Sequence, residues 1–173
     1  MKREGLTLSG IISEYGEFLC KFGMNKDEIE YGHQIWLENE INNSTFNYFL
    51  HLIGNASLWI AKHSNSELEY FESKLEIDRT LFEFRENLTR EYMNYLIGEI
   101  NYDKLLISYH TLPFRFNVQI LANDHCSICK KWDKKIVTVD KIVEKRAFSF
   151  GKCKNSNGCG CSYSIIPLLD GEI

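Results

Sequence analysis

The sequence predicts an α+β chain: an N-terminal helical bundle of four to five helices, then a small β-rich C-terminal module. Three observations predict it. Apolar residues recur at three- and four-residue spacing through the first hundred positions, as they do on one face of a helix. Beyond Asn101 the pattern changes to alternation, the period of a half-buried strand. Five of the six cysteines crowd into residues 126–161, where a module with few apolar residues gains most from a covalent or metal staple. The change of pattern divides the chain into 1–101 and 102–173, and no long linker separates the two parts, so they are expected to pack together.

The elements follow in order. Leu8, Ile11, Ile12, Tyr15, Phe18, Leu19 and Phe22 form the stripe of a first helix, with Gly23 as its left-handed stop. Cys20 is read as a small core residue of that stripe. Asn25 and Glu28 form a capping box ahead of a second helix carrying Ile29, His33, Trp36, Leu37 and Ile41. Asn42, Asn43 and Ser44 break it and cap a third, lined by Phe46, Phe49, Leu50, Ile53, Ser57 and Ile60. Ser64 and Glu67 read as another capping box. The helical pattern then runs to about Gly98 through Leu68, Phe71, Leu75, Leu81, Phe84, Leu88, Tyr92, Tyr95 and Leu96. Its phase slips near Ile77 and Asp78, so one bent helix or two in series are expected. Segment 105–109 reads as a last helical turn or a strand, ended by Pro113. Phe114, Phe116, Val118 and Ile120 alternate as a strand; 135–139 is a second, and 147–150 and 162–166 are weaker candidates.

Composition bounds the function. The chain has 173 residues, 44% of them hydrophobic and 25% charged, as in ordinary globular proteins. No apolar run approaches the roughly 20 residues of a membrane span. The N-terminus leads into no signal-peptide core, so a cytoplasmic, reducing setting without a membrane partner is expected, where cysteines serve as thiols or metal ligands. Residues 1–120 hold 11 Lys/Arg against 18 Asp/Glu, whereas 121–173 hold 9 against 6, with all nine bases in 130–154. An acidic body fits a protein partner; the basic segment 130–154 could meet nucleic acid, although its excess also serves simply to solvate a small module.

The cysteines carry the sharpest signal. Cys126 and Cys129 make a Cys-x-x-Cys knuckle straight after a predicted strand, and Cys159 and Cys161 sit in a Gly/Asn-rich loop ahead of another. Two such pairs suit one tetrahedral structural zinc ion, and thiolate-rich sites are closed rather than catalytic. With Cys153 there are five thiols for four places, and His125 is a sixth possible donor. The expected set is Cys126, Cys129, Cys153 and either Cys159 or Cys161, leaving one spare. Free thiols, a disulfide, an iron–sulfur cluster and a thiol redox pair are the competing readings of the same residues. The redox pair requires a strand–helix–strand setting that the flanking pattern lacks.

Cys126-Ser127-Ile128-Cys129, the following Trp132, Asp133, Lys134, Lys135, and the closing Gly158-Cys159-Gly160-Cys161 resemble the cysteine-rich tail of Mu-type phage head-morphogenesis (minor head) proteins. That tail has a Cys-x-x-Cys, a short Asp-Gly-Lys turn and a closing Cys-x-Cys. Here Lys134 stands where the turn has glycine, and the Pro-x-His segment before the closing pair is absent. The resemblance implies a structural role in capsid assembly. Phosphate-loop, dinucleotide, nucleophile-elbow, zincin and zinc-deaminase motifs are all missing. The residues therefore point to a non-enzymatic binding or adaptor protein. The alternatives are a capsid-assembly protein and an enzyme whose site is assembled from scattered residues such as His110, His125 and Glu144. His33 and His51 are read as packed or surface histidines, and the aromatic residues Phe46, Tyr48, Phe49, Tyr92 and Tyr95 as core rather than a ligand groove.

Overall fold

The computed structural model describes residues 5–39, 44–122, 130–145 and 160–168. It is α-rich with one small antiparallel sheet, and the chain separates into two compact units, Met1–Asn87 and Leu88–Ile173. The division falls within the helical part of the sequence, ahead of the switch to alternating pattern.

The first unit holds α1 (Leu8–Lys21), α2 (Lys26–Asn39), α3 (Thr45–His63) and α4 (Glu67–Phe82), followed by a 3-10 turn, Arg85–Asn87. Caps written in the sequence set most of these bounds. Thr7 accepts from the Gly10 amide, Ser44 from Asn47, and Asn25 and Glu28 exchange side-chain-to-amide bonds at 2.9 and 3.1 Å. Gly23 has φ +76°, and a Cβ there would lie 2.7 Å from Trp59 Nε1, so the turn needs glycine both for its backbone and for its space. The box before α4 is shifted from its expected place. Ser64 ends α3, its hydroxyl donating to the Ile60 carbonyl, while Ser66 caps α4 and Glu69 reaches back to the Asn65 amide. One short connection must both stop a helix and start the next, and the two serines divide that work.

The core of this unit is aromatic. Phe49 and Phe84 are fully buried, and Tyr15, Phe46 and Phe49 pack their rings 4.8 to 5.9 Å from one another or from Phe84. Fully burying such a ring contributes roughly 1.5–3 kcal/mol. The Tyr15 hydroxyl donates to Glu83 at 2.8 Å; burial and that carboxylate hold its pKa well above the ordinary phenol range. Cys20 is a correction. It is exposed, because the buried face comprises Ile11, Tyr15, Phe18 and Leu19, and the residue after Leu19 has turned about 100° off it.

The phase slip at Asp78 is not a break. Asp78 stays within α4, 9% exposed, and its carboxylate accepts from Lys74 Nζ at 2.8 Å, one helical turn back. The helix ends at Phe82, and Thr89 caps a new one, α5 (Arg90–Thr111), in the second unit. The two-in-series reading therefore holds with the joint several residues later. Segment 105–109 is helical, and Leu112, held extended (ψ 137°) by the following Pro113, ends it.

In the second unit, β1 (Phe116–Leu121) is the centre of a three-stranded antiparallel sheet between β2 (Ile136–Thr138) and β3 (Ser162–Pro167). Phe116, Val118 and Ile120 are buried, as the alternation requires. Phe114 lies before the strand and is 41% exposed. A short helix, α6 (Val139–Lys145), follows β2 where the sequence reading had only a strand end. Thr138 Oγ1 accepts from the Lys141 amide, and Val139 and Ile142 are buried one turn apart. The candidate strand 147–150 lies outside the described residues.

Tyr92 and Tyr95 are a second correction. They stack on each other with centroids 6.2 Å apart but are 41% and 49% exposed. The buried side of α5 carries Leu96, Tyr102, Leu105 and Leu106 with three polar residues, Asn94, Glu99 and Asp103, all of them engaged in interactions. A periodicity scored on apolar residues alone misses such a face.

Candidate metal centre

Of the five clustered cysteines, Cys126, Cys129, Cys153 and Cys159, together with His125, lie outside the described residues. Cys161 lies within them and is 3% exposed. Among the described residues no three His, Cys, Asp or Glu side chains gather as a metal-binding group.

The frame around the cluster is defined. β1 leads through Leu121 and Ala122 into segment 123–129, which holds the Cys-x-x-Cys, and the chain re-enters at Lys130. The described residues on either side of that segment are hydrogen-bonded to each other. The Ala122 amide donates to Asp133 Oδ1 at 3.0 Å, the Lys134 amide to the Ile120 carbonyl at 2.8 Å, and the Ile120 amide to the Lys135 carbonyl at 3.0 Å. Lys134 has φ +59°, the left-handed region in which glycine is strain-free. It stands at the position where the resembled tail has its turn glycine.

The other flank is set by register. β3 runs antiparallel to β1 with Leu121 opposite Ser162 and Ile120 opposite Tyr163. Cys161, next before Ser162, therefore comes at the end of the sheet where β1 runs into the Cys126–Cys129 segment. The Cys161 carbonyl accepts from the Asn101 side chain of α5 at 3.3 Å. Burial pushes the Tyr163 phenol on this strand up to about 12. The thiols expected from spacing thus belong to two chain segments that the sheet starts from one end.

Around the frame the lysines are exposed: Lys130, Lys131, Lys134, Lys135 and Lys141. Lys135 Nζ lies 5.0 Å above the Trp132 ring, a cation–π contact that orients one of them. The scattered catalytic candidates gain nothing specific. His110 lies in the last turn of α5, edge-on to Tyr109, and Glu144 is on α6; both are exposed.

In the first unit, His33 is buried and packed. Its Nε2 lies 3.1 Å from Thr45 Oγ1, its ring meets Tyr48 edge-on, and burial lowers its pKa below the usual histidine value. His51 differs. With Trp36 and Tyr48 it lines a cavity of about 330 Å³ between α2 and α3. The sequence reading placed Tyr48 in the core, where it is 3% exposed, and His51 in a packed or surface position, and it is exposed. Helical spacing does not record the gap between the two helices, so no sequence signal marks the cavity.

No helix among the described residues is long and apolar enough to cross a membrane. No protein-family model matches the chain, and comparison with curated proteins and with solved structures finds no match to either unit.

Proposed function

We propose that this is a non-enzymatic binding or adaptor protein whose C-terminal unit is stapled by one structural zinc ion and contacts a protein or nucleic-acid partner. The β1–β3 register is the observation that carries the reading, because it starts the segments bearing Cys126/Cys129 and Cys159/Cys161 from the same end of one sheet. The donor chemistry fits the ion. Thiolates are soft ligands that zinc accepts in a closed tetrahedral site, and such a site stabilises a fold without offering an open position for substrate. Cys126, Cys129 and Cys153 would hold it with Cys159 or Cys161; of that closing pair Cys161 is buried at the sheet end. The exposed lysines of 130–141 supply a surface for anionic groups.

Elemental analysis of the purified chain with X-ray absorption tests the metal. A single zinc with four sulfur neighbours is expected, and a light-atom or water ligand would favour the scattered-residue enzyme instead. Electrophoretic shifts with DNA and RNA at several salt concentrations separate the partners. Salt-sensitive binding supports nucleic acid, and its absence leaves a protein partner.

A second reading, a capsid-assembly role, is favoured by one observation: Lys134 adopts the left-handed backbone at the glycine position of the phage tail motif. Incorporation of the chain into particles assembled from head components would support it; exclusion would remove it.

A further inference from the structure

The α2–α3 cavity is lined by aromatic rings and a few polar groups. Trp36, Tyr48 and His51 contribute aromatic rings, with Trp36 centroids 5.8 Å from Tyr48 and 5.2 Å from His51. The Tyr48 hydroxyl is already committed, donating to the Ile29 carbonyl at 2.8 Å, and only a glycine at position 32 leaves it room, since a Cβ there would be 2.5 Å away. Two of the groups that remain are acceptors, and one is a donor, the buried Trp36 Nε1, which has no hydrogen-bond partner among the described residues. Glu28 uses Oε2 for the Asn25 amide and keeps Oε1. Asn39 donates its side-chain N–H to the Ile35 carbonyl at 2.9 Å and keeps Oδ1. Among the described lining residues there is no Lys or Arg, and α2 carries four carboxylates, Asp27, Glu28, Glu30 and Glu38, against the single Lys26. Lys26 is itself paired to Glu30 at 3.6 Å.

Aromatic faces, two unspoken-for acceptors and Glu28, the one carboxylate among the described lining residues, suit a cation with N–H donors on an apolar body. The volume lies at the small end of the range for small-molecule sites, which suits one ring and a short arm. We propose that the α2–α3 cavity binds a small arylalkyl ammonium compound, its ring against Trp36 and Tyr48 and its ammonium toward Glu28 and Asn39. The site is built entirely from the first unit and is independent of the metal reading.

The test uses the full chain and three probes of one shape: 2-phenylethylammonium, 2-phenylethanol and phenylacetate. Binding is followed by amide and indole NMR shifts. Saturable millimolar binding of the ammonium is expected, with shifts confined to α2, α3 and the Trp36 indole, weaker binding of the alcohol and none of the acid. Glu28→Gln keeps the helix cap, since Gln also accepts from the Asn25 amide, yet removes the charge. It should weaken the ammonium about threefold, the scale of one exposed charge pair, and leave the alcohol unchanged. Ile35→Trp, at a rim position 41% exposed, should plug the cavity and abolish binding. Equal binding of ammonium and alcohol, shifts spread beyond these helices, or an unaltered affinity in Glu28→Gln would overturn the proposal. If Ile35→Trp does not fold, the Glu28→Gln comparison decides alone.

Discussion

The two units of this chain solve the same problem with different materials. The first buries rings: Phe49 and Phe84 are fully enclosed, and Tyr15 and Phe46 pack against them. The second has a three-stranded sheet whose described core is a handful of aliphatic side chains and Phe116, and a long helix that buries Asn94, Glu99 and Asp103. Apolar burial is non-directional and tolerates small errors of placement, whereas buried polar groups stabilise only when every partner is in position. The comparison teaches where an external staple matters. The first unit also buries His33, Asp78 and Thr80 but is built around enclosed rings; among the described residues the small sheet has no such bulk beyond Phe116 and would gain more from a bound ion.

Metal removal should break that comparison open with the largest effect. If zinc closes the cysteine cluster, chelation or Cys126→Ser should forfeit metal-binding free energy on the order of 10 kcal/mol at neutral pH. The NMR dispersion of β1, β2 and β3 should collapse while the ring-shifted signals of Tyr15 and Phe49 persist. Loss of both together, or of neither, would show that the two units are not stabilised differently. The converse perturbation is Phe84→Ala. Removing a fully buried ring should cost about 3–5 kcal/mol, seen as an earlier urea midpoint for the helical unit.

A smaller effect tests the hairpin beneath the cysteine segment. Lys134 sits at φ +59°, so Lys134→Gly should stabilise the second unit by about 1 kcal/mol. If stability falls instead, the left-handed turn is not the native one, and the capsid-tail comparison weakens with it.

The smallest expected effect is a pH slope in the first unit. His33 has its pKa lowered by burial, so its folded form binds a proton less readily than its unfolded form. Stability is full above the unfolded pKa of about 6.5, and it falls as pH drops below that value until the lower folded pKa is passed. Thermal melts between neutral and mildly acidic pH should show the decline, and His33→Gln should flatten it. A slope unchanged in His33→Gln would assign the titration to another group.

Several features could be read directly because their physics is local. The capping box at Asn25 and Glu28 and the left-handed Gly23 need only a few neighbours to form. The alternation of Phe116, Val118 and Ile120 likewise marks its own buried side. Others depended on partners distant in the chain. Cys20 and Leu19 are adjacent, and which of them is buried depends on where α1 meets its neighbours. The phase slip at Ile77 and Asp78 marked no break, because the face of α4 that other helices cover includes Asp78, whose ion-pair partner Lys74 is one turn away. The exposure of Tyr92 and Tyr95 and the burial of Glu99 reverse what hydrophobicity alone assigns to α5.

The candidate sites divide along the same line. The amino-acid sequence by itself determined that thiols suited to zinc cluster in 126–161, because ligand chemistry and spacing are properties of the chain. It also determined the helix caps and the strand period, which are set within a few residues. Only the tertiary structure decided that Cys161 lies at the end of the sheet where β1 leads to Cys126 and Cys129, because strand register is a long-range choice. It alone decided, too, that Trp36, Tyr48 and His51 line a cavity between α2 and α3, because empty space depends on how well two helices fit and leaves no trace in periodicity.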